Sequence, residues 1–180
     1  MKKLRVLALA ALAGALLTAG CGTTEETSAP ARSGDPGGGP VSVTDALGRT
    51  VSLDAPAQRV VGLEWGDVEM LVTLGVMPVG VADVEGYTTW VSAAPLDDSV
   101  ADVGTRGEPS IDAIVALEPD LVIVEAELAG NVVDQLEQYV PVLVTVGSDA
   151  SRNLDRMRED FTLIATAVGK VDEAERVLDE

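Results

Sequence analysis

From Val41 onward, apolar and polar residues alternate in two short runs, "VSVT" and "TVSL", on either side of Asp45-Ala46-Leu47-Gly48. A period of two with a Gly able to take positive φ predicts a β-hairpin. The pattern then changes. "RVVGL" (59–63) is continuously apolar, as a parallel strand buried on both faces is. In "GDVEMLVTLG", Val68, Leu71 and Val72 recur at helical spacing and Gly75 is placed to close the helix. "PVGVA" (78–82) predicts a second buried strand, and residues 83–98 read as a loop ahead of a short strand in "SVADVG". "PSIDAIVALEPD" predicts a helix with Pro109 in its first turn and Pro119 at its end. "LVIVE" (121–125), "NVVDQLEQYV" (131–140) and "PVLVTV" (141–146) continue as strand, helix and strand. This alternation predicts an α/β fold with a mainly parallel sheet flanked by helices.

Further on, Leu154, Met157, Phe161, Ile164, Val168 and Val171 follow one another at intervals of three and four, predicting an amphipathic helix with one buried face. Gly169 is expected to interrupt it. Asp172, with Glu175 three residues on, reads as the N-cap and capping-box partner of a second helix.

The amino terminus has different chemistry. A basic start (Met-Lys-Lys-Leu-Arg) leads into 15 small and apolar residues, Val6 to Gly20, and then Cys21, the only cysteine. This is the pattern of an export signal, and the run is shorter than the ~20 residues of a membrane-spanning helix. "LTAGC" resembles the bacterial lipobox, with Thr18 where Leu is usual. That resemblance implies a signal peptide over 1–20 and a lipid on Cys21, holding the protein on the outer face of the cell membrane. Residues 21–40 contain no large apolar side chain, cannot offset their ordering entropy by burial, and read as a flexible tether.

Charge and missing residue types narrow the function. The net charge is -18, and it becomes -21 once Lys2, Lys3 and Arg5 leave with the signal. A chain this acidic repels nucleic acid, whose binding needs Lys and Arg on phosphates. There is no histidine, so Ser/His and Cys/His catalysis has no base, and a metal site built on imidazole or thiolate has no ligands. Asp97-Asp98 could hold a hard cation, although in a Pro-bounded loop such a pair is more often turn chemistry.

In open parallel sheets, ligands bind outside the carboxyl ends of the strands. Trp65 follows strand 59–63, Tyr87 and Trp90 follow strand 78–82, and Arg106 follows the short strand ending near Val103. Three of five aromatic residues and an isolated cation are thus expected on one rim. The competing assignments are core packing for Trp65, packing of its own loop for Tyr87, and a surface pair with Glu108 for Arg106.

"LEW", "GVAD", Y-x-x-W-V-S, "DVG-x-R-x-EP" and "PD-L-V" occur here in order between Leu63 and Val122. On these motifs the chain resembles the substrate-binding proteins of bacterial ABC importers for ferric siderophores, haem and cobalamin. The resemblance is nearest to the ferric-hydroxamate siderophore binders and covers roughly residues 41–180. It implies a two-lobed periplasmic-binding-protein fold. Residues 41–150 would be the first lobe, and 151–180 its C-terminal helices and the start of the interlobe helix. Val171, Ala174 and Leu178 would then face a second lobe, leaving the last helix frayed. Arg106 corresponds to the arginine that grips hydroxamate oxygens, and Trp65 and Trp90 to pocket aromatics, with Tyr87 a further candidate. Asp112 corresponds to the acidic residue that meets the permease. Leu128 stands where relatives place a tyrosine that assists the arginine.

The implied chemistry is coherent. Aromatic faces cover the organic body of a siderophore, and a guanidinium donates paired hydrogen bonds to its oxygens. Iron arrives already ligated, so no protein cofactor is needed. The alternatives are cobalamin or haem on the same fold, with Tyr87 as the only evident haem ligand, or a carboxylate-dependent extracytoplasmic enzyme.

Overall fold

The computed structural model describes residues 38–148 and 150–180. The expected signal peptide, Cys21 and most of the expected tether lie outside the described residues. Strands β1 (Val41–Thr44) and β2 (Thr50–Leu53) form the expected antiparallel hairpin, pairing Val41 with Leu53 and Thr44 with Thr50. Its turn is organised by Asp45, which is buried. One carboxylate oxygen accepts the backbone N–H groups of Leu47 and Arg49 at 3.0 and 2.9 Å, and the other accepts Arg49 Nε at 2.9 Å. Gly48 takes the positive φ, +74°, that the turn requires.

Five parallel strands follow: β3 (Val60–Gly62), β4 (Gly80–Val81), β5 (Ala101–Asp102), β6 (Leu121–Glu125) and β7 (Val142–Thr145), in the order β5-β4-β3-β6-β7. The helices are α1 (Trp65–Thr73), α2 (Val84–Trp90), α3 (Ile111–Ala116), α4 (Ala126–Leu136), α5 (Asn153–Ala167) and α6 (Val171–Leu178). Successive strand residues point to opposite faces and build two cores. Val60, Leu121, Ile123 and Leu143 meet the hairpin, α1, α5 and α6 through Leu53, Leu71, Leu74, Phe161, Ile164 and Val168. Val61, Val122, Val124 and Val144 meet α3 and α4 through Ile114, Val133 and Leu136. Both faces are covered, which is why β3, β4 and all but the last residue of β6 and β7 are apolar.

Several boundaries differ from expectation. Residues 84–90, read as loop, form α2, because Asp83 caps Gly86 N at 3.1 Å and Tyr87 supplies a buried contact. Ser110, not Pro109, starts α3: its hydroxyl accepts from Ala113 N at 3.2 Å. Helix α4 begins five residues earlier than its apolar spacing suggests and is kinked at Gly130. Leu154, Met157 and Val171 are exposed, so only the stretch from Phe161 to Val168 of the predicted apolar face is buried.

The capping box at Asp172 does not form. Gly169, at φ +69°, turns the chain so that Lys170 N bonds Ala165 O at 2.7 Å, and α6 starts at Val171 with Lys170 as its cap. Nor does α6 stand loose. Ala174 is buried, and Val177 and Leu178 pack on the same core as α5.

Candidate functional site

The carboxyl ends of β3, β4 and β5 bring one constellation together. Gly62 makes the turn from β3 into α1 possible, since a Cβ there would lie 2.5 Å from Val68. Glu64 then caps α1, accepting Trp65 N at 3.1 Å. The Trp65 indole N–H donates to Ala82 O at 3.2 Å, tying the ring to the end of β4. Helix α2 comes up against that ring at Gly86, where a Cβ would sit 2.4 Å from Trp65 Cζ2. Any larger residue at 86 would displace the indole.

Arg106 arrives from the other side. After β5, Gly104 adopts φ +102° and Ser110 N bonds Val103 O at 2.7 Å. A turn closed by Glu108 N on Thr105 O and Oγ1, at 3.2 and 3.1 Å, holds Arg106 at the tip of this loop. Its guanidinium carbon stands 4.5 Å from the centroid of the Trp65 ring, a cation–π stack. Arg106 Nε donates to Glu64 Oε2 at 2.8 Å. The ion partner is therefore Glu64, not Glu108. Nη1 and Nη2 make no hydrogen bond with the described residues, and the side chain is 40% exposed.

Trp90 ends α2 and is 78% exposed. Tyr87 is a correction to the sequence reading: it is fully buried with Val68, Val81 and Val100, and its hydroxyl donates to Ala94 O at 2.7 Å. Burial, with Glu69 nearby, pushes its phenol up to about 12. It anchors the loop and is not on the rim. Asp112 is exposed in the first turn of α3, and Leu128 packs against the second core. Asp97 and Asp98 are exposed in a turn closed by Val100 N on Asp97 O at 3.1 Å.

A cavity of about 390 Å³ is lined by Glu64, the partner of Arg106, with Asp67, Glu125, Asn153, Met157 and Asp160, among others. Asp160 is buried and accepts Val146 N and Gly147 N, both at 2.9 Å. Glu125 accepts Ser148 N at 2.9 Å, and Asp67 accepts the Thr145 hydroxyl at 3.0 Å. Burial, with the neighbouring carboxylates adding to it, holds the Asp67 carboxyl well above the usual range and raises Glu125 as well. Sequence reasoning missed these acids. Glu64 was open to discovery through its place between a buried strand and Trp65. Asp160 carries no comparable signal, because only the return of α5 beneath the β7 loop brings it here.

Residues 60–180 match the periplasmic binding protein family, and the chain belongs to that family. It is 38% identical over 140 residues to the putative ABC transporter substrate-binding lipoprotein YhfQ of Bacillus subtilis, covering 77% of this chain and 42% of that protein. It is 38% identical over 107 residues to the iron(3+)-hydroxamate-binding protein FhuD of Escherichia coli, covering 59% and 36%. The solved siderophore-binding protein FhuD of Vibrio cholerae, bound to Fe3+-Desferal, superposes with a TM-score of 0.63 at 31% identity, covering 68% of this chain and 46% of that one. The chain thus spans less than half the length of these relatives. Among the described residues, no helix is long and apolar enough to cross a membrane.

Proposed function

We propose that this chain is the first, ligand-binding lobe of a lipid-anchored extracytoplasmic component of an ABC importer. It binds a ferric siderophore of hydroxamate type and delivers it, chemically unchanged, to a membrane permease. One observation carries the reading: Arg106 is stacked on Trp65 and braced by Glu64, with both η nitrogens left for a ligand. A guanidinium held this way can donate two parallel hydrogen bonds to adjacent hydroxamate oxygens, while exposed Trp90 offers an aromatic face to the organic body. Iron is cargo, so no protein cofactor takes part. The lipid is assigned to Cys21, residues 22–40 to the tether, and Asp112 to the permease contact. Haem is a poor alternative, because its one evident ligand, Tyr87, is sealed in the core.

Quenching of Trp65 and Trp90 fluorescence by a ferric hydroxamate tests the reading. Arg106→Ala should weaken binding by about tenfold to a hundredfold, the worth of a charge-assisted hydrogen bond. Unchanged affinity in that variant would place the ligand elsewhere.

A further inference from the structure

Arg106 is the single Lys or Arg between Arg59 and Arg152, a stretch that contains 17 Asp and Glu. That lone cation is already neutralised. Both oxygens of Glu64 are committed, Oε1 to the first N–H of α1 and Oε2 to Arg106 Nε. The Glu64 side chain is 13% exposed and that of Arg106 is 40% exposed, so the guanidinium is the more accessible partner of the pair. Two contacts in different directions, the Nε bond and the Trp65 face, fix the guanidinium plane.

Glu64 also lines the cavity with Asp67, Glu125, Glu127 and Asp160. A ligand gripping Arg106 therefore meets donors whose charge is cancelled by Glu64, in a stretch of chain with a large excess of carboxylates. Geometry favours a pair of adjacent oxygens, and that excess disfavours a ligand with net negative charge.

We propose that Glu64 is the specificity-determining residue of this site: it orients the Arg106 fork and cancels its charge, so that the site takes neutral or cationic ferric complexes and rejects polyanionic ones. This rests on the Arg106 rim being the ligand site, as proposed above. It adds a charge rule to that reading and assigns the rule to one residue.

The test is a proton–nitrogen NMR titration of the 180-residue chain, which detects binding even at millimolar affinity. The probes are two gallium(III) complexes, diamagnetic and of the same metal charge as iron(III). One is the desferrioxamine (Desferal) complex, a trihydroxamate with a cationic amine; the other is anionic gallium citrate. The Trp65 and Trp90 indole signals and Arg106 Nε report the site. The wild type should bind the desferrioxamine complex more tightly than the citrate. Glu64→Gln, which keeps shape and an acceptor oxygen, should shift that preference toward citrate by about tenfold or more, the scale of one charge removed at close range in a partly screened site.

An unchanged preference in Glu64→Gln overturns the inference, as does a wild type that prefers citrate. If Arg106→Gln abolishes binding while Glu64→Gln leaves the preference unaltered, the rim stands as the ligand site and the role of Glu64 falls. If neither complex moves the wild-type signals, the ligand site itself is wrong and this inference goes with it.

Discussion

Replacing Tyr87 by Phe removes one oxygen atom and tests the main correction to the sequence reading. The hydroxyl donates to Ala94 O at 2.7 Å, and both residues are buried. The ring of Phe fills the same space, so no large cavity opens. The Ala94 carbonyl, however, loses its donor in a place water does not reach. An unsatisfied buried acceptor costs about 1–3 kcal/mol. For a domain of this size that lowers Tm by roughly 3–12 °C.

The same hydroxyl should set the alkaline limit of the fold. Its folded pKa is about 12, raised first by burial and then by Glu69. The ordinary tyrosine value is near 10, so the native state holds the proton more tightly than the unfolded chain. Stability from this group is intact below about pH 10 and is lost as pH rises toward 12. Urea denaturation followed by circular dichroism at neutral pH and across the alkaline range measures both effects. Tyr87→Phe should be less stable at neutral pH, with unchanged m-value, and should lack the Tyr87 share of the alkaline loss. A variant within about 0.5 kcal/mol of wild type at neutral pH would mean that the Ala94 bond is not buried. Unchanged stability with weakened ligand binding would return Tyr87 to the rim.

Asp67→Asn should be more stable than wild type at neutral pH. Burial raises the Asp67 carboxyl well above its usual range, against the opposing Thr145 bond, so its native state favours the proton and stability falls as pH rises past the ordinary Asp value toward the folded one. The advantage of the variant should grow with pH from about 4 upward, and a constant difference would refute the assignment. Cys21→Ala should move the protein out of the membrane fraction; an exported variant that still sediments with membranes would end the lipoprotein reading.

The sequence alone determined the elements whose burial is two-sided or strictly periodic. β3, β6 and β7 are apolar up to the Glu125 and Thr145 that end the last two, because helices cover both faces of the sheet, and that needs no partner to be read. The hairpin is equally local, since Asp45 and Gly48 act within five residues of each other. Arg106 and Trp65 were legible as candidates through their place after strands. Which side chains meet across the chain depends instead on how the elements pack. Glu64 and Arg106 are 42 residues apart and are joined only because β3 and β5 end on the same edge of the sheet. Tyr87 and Trp90 lie three residues apart on one short helix, yet α2 buries the first and exposes the second. Composition cannot separate them, because an aromatic ring is equally suited to a core and to a ligand, and only the direction in which the helix presents it determines its role.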